Sequence, residues 1–221
     1  MTAPPAPAQP GRDCPLCPRL AGFRAANRQA LRDFFNAPVP SFGSVDAPLL
    51  VVGLAPGLRG ANRTGRPFTG DYAGDLLYGT LLKVGLAEGR YGASPDDGLC
   101  LIGCRITNAV RCVPPENKPV GTEIAACRPF LTAELAAMPH LKLVVALGTV
   151  AHRAVLAALG LKQSPHPFAH GAVHELPHGR ALADSYHCSR YNTNTGRLTP
   201  EMFEAVFAGA VKRLRARTST W

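Results

Sequence analysis

The chain has 221 residues, 46% of them hydrophobic, enough for one well-packed domain and too polar for a membrane-embedded protein. The formal charge is +9, and only five of the 24 basic residues are lysine. This favours a polyanionic partner, nucleic acid being the commonest, although an arginine-rich codon bias would leave the same mark. No apolar run approaches the roughly 18–20 residues of a membrane span, and the start of the chain lacks the apolar core of a signal peptide. A cytoplasmic protein that does not touch membranes is expected.

In chain order, "MTAPPAPAQPGRD" reads as a Pro/Ala-rich disordered tail over residues 1–12, with a single domain over 13–221. A helical pattern runs through "RLAGFRAANRQALRDFF". The first buried strand is Leu49–Leu54, an apolar run between Pro48 and a Gly-Pro-Gly turn. "AGDLLYGTLLKVGL" carries leucines at helical spacing and ends in glycine. One or two strands lie in "LCLIGCRITNAVRC", and a helix in "AACRPFLTAELAAM". The pair "LKLVVALG" and "TVAHRAVLAALG" reads as strand then helix. "GAVHEL" and "ALADSYHCS" are further strands, the second opening into the polar loop "RYNTNTGRLT". "PEMFEAVFAGAVKRLRAR" closes the chain as a helix, with Pro200 in its first turn and a basic last turn.

Alternating strands and helices predict an α/β fold: a three-layer α/β/α single domain with a short, mostly parallel central sheet. Ligands in such folds sit beyond the carboxyl ends of the strands. Three loops there, after Leu54, around Asn108 and after Tyr186, should converge. The first contains Arg59, Arg63 and Arg66, as if to line the mouth of an anion-handling site. It is not a nucleotide cradle: G-x-G-x-x-G and G-x-x-x-x-G-K-S/T are absent, and Pro56 removes a backbone donor.

Seven cysteines without an export signal point to metal or redox chemistry rather than disulfides. Cys14-Pro-Leu-Cys17 is a C-x2-C pair, and Cys112 and Cys127 form a wider pair amid basic, proline-rich sequence. Neighbouring arginines can offset the charge of clustered thiolates. Zinc and an iron–sulfur cluster both accept four thiolates, and spacing does not choose between them. Cys100, Cys104 and Cys188 read as small core residues. His166, His170, His174 and His178 recur every four residues, but Pro167, Gly171 and Pro177 break any helix through them. Surface or turn histidines are expected there.

Three segments in this order, "GLAPG…GANRTGRPFTGD", "ITNAVRCVPP…ACRPFL" and "HCSRYNTNTGRLT", resemble the uracil-DNA glycosylase superfamily. The likeness runs from Cys14 to about Thr199 and is strongest to the iron–sulfur-containing fifth family, type b. It implies a [4Fe-4S] cluster on Cys14, Cys17, Cys112 and Cys127. It implies a monomeric, monofunctional DNA-repair hydrolase that flips uracil or another deaminated base out of DNA and cuts its N-glycosidic bond. Related families carry an Asp or Glu on the first turn to activate water. Here Leu54 and Ala55 stand in that region, a departure for which the fifth family is known. A missing acid also suggests the competing reading, a non-catalytic iron–sulfur module that binds nucleic acid.

Residue by residue, the resemblance implies that Phe68 stacks on the base, with Gly53, Ala55, Gly57 and Asn62 around it. Asn108 would read the base edge or hold the water, and His187 would hydrogen-bond the departing base. Asp75 is taken as the nearest carboxylate, orienting water or balancing positive charge on the sugar. Arg63, Arg190, Tyr191, Asn192 and Arg197 would contact DNA, the last four from a loop entering the minor groove.

Overall fold

The computed structural model describes residues 7–218. The first six residues of the expected tail lie outside that range. From residue 7 the chain is already engaged: Gln9 donates to Glu134 at 3.0 Å and the Arg12 carbonyl accepts from Arg28 at 3.0 Å. Helix α1 (Pro18–Ala30) follows, with its proline in the first turn.

The sheet is built from β1 (Leu49–Gly53), β4 (Cys104–Asn108), β5 (Leu143–Leu147), β6 (Val173–Leu176) and β7 (Arg180–Ser185), in the order β4-β1-β5-β7-β6. All neighbours are parallel except β6, which pairs antiparallel with β7 at the edge. β1 and β5 are buried at every position, as strands covered on both faces must be. Strand pleat sorts their residues by period two. Leu49, Val51, Leu143 and Val145 pack against α3 (Tyr72–Lys83) and α7 (Pro200–Thr218), through Leu77, Tyr78, Phe203 and Phe207. Leu50, Val52, Val144 and Ala146 face α4 (Gly121–Ala137) and α5 (Thr149–Ala158). The three expected layers result. A two-stranded ribbon, β2 (Ala87–Glu88) with β3 (Cys100–Leu101), two short helices, α2 (Ala61–Thr64) and α6 (Arg190–Asn194), and two single 3-10 turns, Pro115–Asn117 and Pro177–Gly179, complete the described elements. α6 occupies the segment read as a loop. Ser189 caps it by accepting from Asn192 N–H, the local bond that turns Ser-Arg-Tyr-Asn into a helix start.

A buried ionic knot joins the N-terminal segment to the sheet. Glu134 of α4 is fully buried and bonds Arg111 at 2.8 Å, Arg105, Ser41 at 2.9 Å and Gln9. Burial raises the Glu134 pKa, but the two guanidiniums outweigh it and hold the carboxyl below its ordinary value. Removing one side of such a pair leaves the other charge buried alone, a cost of about 3–5 kcal/mol. Glu134→Ala is therefore expected to lower stability by about that amount in urea unfolding, with Arg111 the stranded charge.

Candidate active site

The loops after β1, β4 and β7 do converge. They enclose a cavity of about 460 Å³ whose lining includes Leu54–Gly57, Phe68, Asp71, Asn108, Asn117, His187 and Arg190. No helix among the described residues is long and apolar enough to cross a membrane.

The β1 turn makes its contribution through small size. A Cβ on Gly53 would come within 2.4 Å of both Asn108 Oδ1 and the Phe68 ring, so the strand can end only in glycine if those two groups are to meet behind it. Phe68 has a positive φ of 53°, strained for a non-glycine residue. Neighbours hold it there. The Tyr78 hydroxyl donates to the Pro67 carbonyl at 2.6 Å, and Tyr91 reaches the Phe68 carbonyl at 3.4 Å. Asn108 ends β4, nearly fully buried, and its Oδ1 has no hydrogen-bond partner within the protein. A buried carbonyl oxygen without a donor is costly, and a ligand N–H would relieve it.

His187 stands opposite, its ring centroid 6.0 Å from that of Phe68. Its carbonyl is fixed by Asn192 Nδ2 at 2.8 Å. Burial pushes its pKa down to about 4, so the ring is an imidazole rather than an imidazolium at pH 7.

The carboxylate at the cavity is Asp71, and this corrects the expectation for Asp75. Asp75 is exposed one turn into α3 and does not line the cavity. Asp71 is the N-cap of that helix, its Oδ1 accepting from Gly74 N–H at 3.2 Å. The other oxygen lies against glycine backbone: a Cβ on Gly57 would be 2.8 Å from Oδ2, and one on Gly60 only 2.1 Å. Burial is the first cause raising the Asp71 pKa, and the Asp75 charge adds to it, against backbone hydrogen bonds that lower it.

Of the other expected residues, Ala55, Gly57 and Arg190 line the cavity. Asn62 does not: it is buried and donates to Asn36 Oδ1 at 2.9 Å. Arg66 turns inward, gripping Asp97 at 2.7 and 2.8 Å beneath the rings of Phe42 and Tyr78. Only Arg59 and Arg63 of that loop's arginines are exposed. On the cavity wall Arg190 lies over the Tyr72 ring; beyond it, Tyr191 is 73% exposed and Arg197 lies over Tyr186 at 4.6 Å. Sequence reading missed Asn117, which reaches the cavity from a turn with a positive φ of 57°. Its signal was a polar residue after Pro-Pro-Glu, where asparagine tolerates the left-handed backbone.

Behind the first turn, Cys14, Cys17, Cys112 and Cys127 line a single recess with Leu20, Val110 and Phe130. Arg24, 5% exposed, donates to Cys112 Sγ at 3.4 Å and to the Cys14 carbonyl at 2.9 Å. Arg111 N–H donates to Cys127 Sγ at 3.4 Å. Burial raises the thiol pKa of Cys17 and Cys127, and that of Cys112 to about 11. Ala55 packs on this group while facing the cavity. Of the remaining cysteines, Cys104 and Cys188 are buried as expected, whereas Cys100 is exposed on β3.

A mostly parallel sheet with a cavity at its carboxyl ends, lined by an aromatic ring, an amide, an imidazole and one carboxylate, makes this an α/β protein with an enzyme-like pocket. The family profile described as the Uracil DNA glycosylase superfamily matches residues 40–210, and the chain belongs to that superfamily. It is 49% identical over 206 residues to the Type-5 uracil-DNA glycosylase of Thermus thermophilus, covering 91% of this chain and 93% of that protein. The Type-5 enzyme of Mycobacterium tuberculosis is 43% identical over 207 residues, covering 90% and 77%. A Type-4 uracil-DNA glycosylase of Saccharolobus solfataricus matches less of the chain, 33% identical over 127 residues, or 57% and 51%.

Proposed function

We propose that the chain is a monofunctional uracil-DNA glycosylase that hydrolyses the N-glycosidic bond of a flipped uracil and leaves an abasic site. The unpaired Oδ1 of Asn108, a residue of the cavity wall, carries this reading. Uracil presents an N–H donor on its edge, and a base drawn from the stack can satisfy that oxygen while lying on Phe68. As the glycosidic bond breaks, negative charge develops on the base. His187 is read as a neutral imidazole whose N–H hydrogen-bonds the base as that charge develops. Asp71 orients the attacking water and faces the positive charge on the sugar. Asn117 is the second amide within reach.

Arg190, Arg197 and the exposed Arg63 are read as phosphate contacts, and Tyr191 and Asn192 as loop contacts to the duplex. Release of free uracil from a uracil-containing oligonucleotide tests the whole reading. Binding without release would favour the non-catalytic module instead. In a DNA-binding titration Arg190→Ala and Arg197→Ala should weaken normal and uracil-containing DNA by similar factors and flatten the salt dependence. Loss of binding to uracil-containing DNA alone would make that arginine a contact to the flipped base rather than to phosphate. Other deaminated bases belong to the same proposal: with Leu54 and Ala55 in the region where related families carry an acid, the pocket is read as open to further bases.

A [4Fe-4S] cluster on Cys14, Cys17, Cys112 and Cys127 is also proposed, with a structural role. The donor set fits. Four thiols share one recess and two receive N–H donors. Among the described residues no three of these sulfurs lie within 4.8 Å of one another. A tetrahedral zinc would draw them to about 3.8 Å, whereas a cubane places each thiolate on a different iron.

A further inference from the structure

Of the histidines between α5 and β7, His178 is exposed in a turn and His166 and His170 are half-buried in bends or turns, as expected, whereas His174 is built into a strand. His152 of α5 is 2% exposed, Asp184 of β7 is fully buried, and His174 lies on the edge strand β6. His152 Nδ1 is 2.7 Å from Asp184 Oδ1, and His174 Nε2 is 3.1 Å from Oδ2. The donor atoms of the trio all fall within 4.8 Å of one another. No arginine or lysine pairs with Asp184 among the described salt bridges.

The hydrogen bonds behind the trio decide what it can hold. His152 Nε2 is 2.9 Å from the His166 carbonyl. A carbonyl only accepts, so the ring hydrogen sits on Nε2 and the lone pair of a neutral imidazole is on Nδ1, facing a carboxylate oxygen. Two acceptors at that distance need a cation between them. His166 is committed in the same sense: its Nδ1 reaches the Lys162 carbonyl at 3.0 Å, and its ring lies 5.6 Å from that of His174. Metal-binding histidines characteristically spend their second nitrogen on a backbone carbonyl, which fixes the tautomer and aims the lone pair.

We propose that His152, His174 and Asp184 form a binding site for one divalent transition-metal ion of the zinc class, with His166 as the nearest candidate for a fourth ligand. Two imidazoles and a carboxylate are the donors such ions take. At metal–ligand lengths of about 2.0–2.2 Å the ligand atoms stand about 3.3 Å apart, close to the spacing already present. The ion would bolt α5 and the edge strand to β7, three residues before His187. This site is independent of the cysteine recess and of the glycosylase reading.

The test uses the whole protein, dialysed against EDTA and then titrated with Co²⁺ under visible absorption. One Co²⁺ per chain should bind with d–d bands and without added sulfur-to-cobalt charge transfer, which separates it from metal on cysteines. His174→Gln, on the partly exposed edge strand, should weaken that uptake on the order of tenfold or more. Asp184→Asn, which keeps shape and removes the charge, should do the same. Zn²⁺ should raise the thermal midpoint of the parent protein and not of either variant. Absence of Co²⁺ uptake would overturn the proposal, leaving a proton as the cation between His152 and Asp184. So would uptake seen only with the thiolate band, or uptake unchanged in both variants.

Discussion

Asp71→Asn should slow single-turnover excision of uracil on the order of 10²–10⁴-fold while leaving the fold intact. Asparagine is as good an N-cap as aspartate, so the bond to Gly74 N–H survives and only the charge is lost. The sign of the stability effect follows from the raised pKa. A carboxyl that holds its proton more tightly when folded favours the fold at low pH; that contribution is full below the unfolded value and is lost as pH rises through the higher folded value. At neutral pH the charged Asp71 therefore costs stability, and the asparagine variant should be as stable as the parent or more so. Activity should depend on the ionised form and fall away on the acid side at a higher pH than an ordinary aspartate would give. Asp75→Asn supplies the control. It should retain excision and move that acid limb to lower pH, because one of the charges raising Asp71 has gone. Full activity in Asp71→Asn would remove the carboxylate from the mechanism and leave the amides Asn108 and Asn117 to hold the water.

Cys112→Ser should lose iron, acid-labile sulfide, visible colour and thermal stability together. The four sulfurs join the start of α1, the segment after β4 and the middle of α4, which are far apart in sequence. Removing one ligand from a cluster that ties such distant segments releases all of them. Excision should fall too, because Ala55 rests on the cysteine group while forming part of the cavity wall. A colourless parent protein loaded with zinc, fully active after expression with iron supplied, would falsify the cluster assignment.

The sequence and the structure part company in an instructive way. Buried strands were legible because they are covered on both faces, so β1 and β5 appear as unbroken apolar runs. The convergence of three loops followed from their position after parallel strands. Phe68, Asn108 and His187 were legible only through resemblance to a known family. Asp71 and Asp75 lie four residues apart, and a position on the near or far side of a helix start separates them. The N-cap rule contains the answer: the acid just before the helix has extended backbone and turns into the loop, while the one a turn later faces solvent. Arg66 and the histidine group failed for a different reason. Their partners, Asp97 for Arg66 and Asp184 for His152, lie 31 and 32 residues away, and no local period announces them. Cys100 was placed by its apolar neighbours, but it sits on a two-residue ribbon strand rather than in the sheet.

The glycine slot around Asp71 has a consequence for anyone exchanging parts between relatives. Gly57 and Gly60 come from the first loop and Asp71 from the helix, so the two segments fit as lock and tongue. Grafting an acid onto the loop at Ala55 would place a second carboxylate on the wall of the same cavity. Two like charges in so confined a space cannot both ionise without penalty. The two ways of supplying the acid, on the loop or on the helix cap, are therefore alternatives. A chimera that combines them should work only after Asp71 is neutralised in the same step.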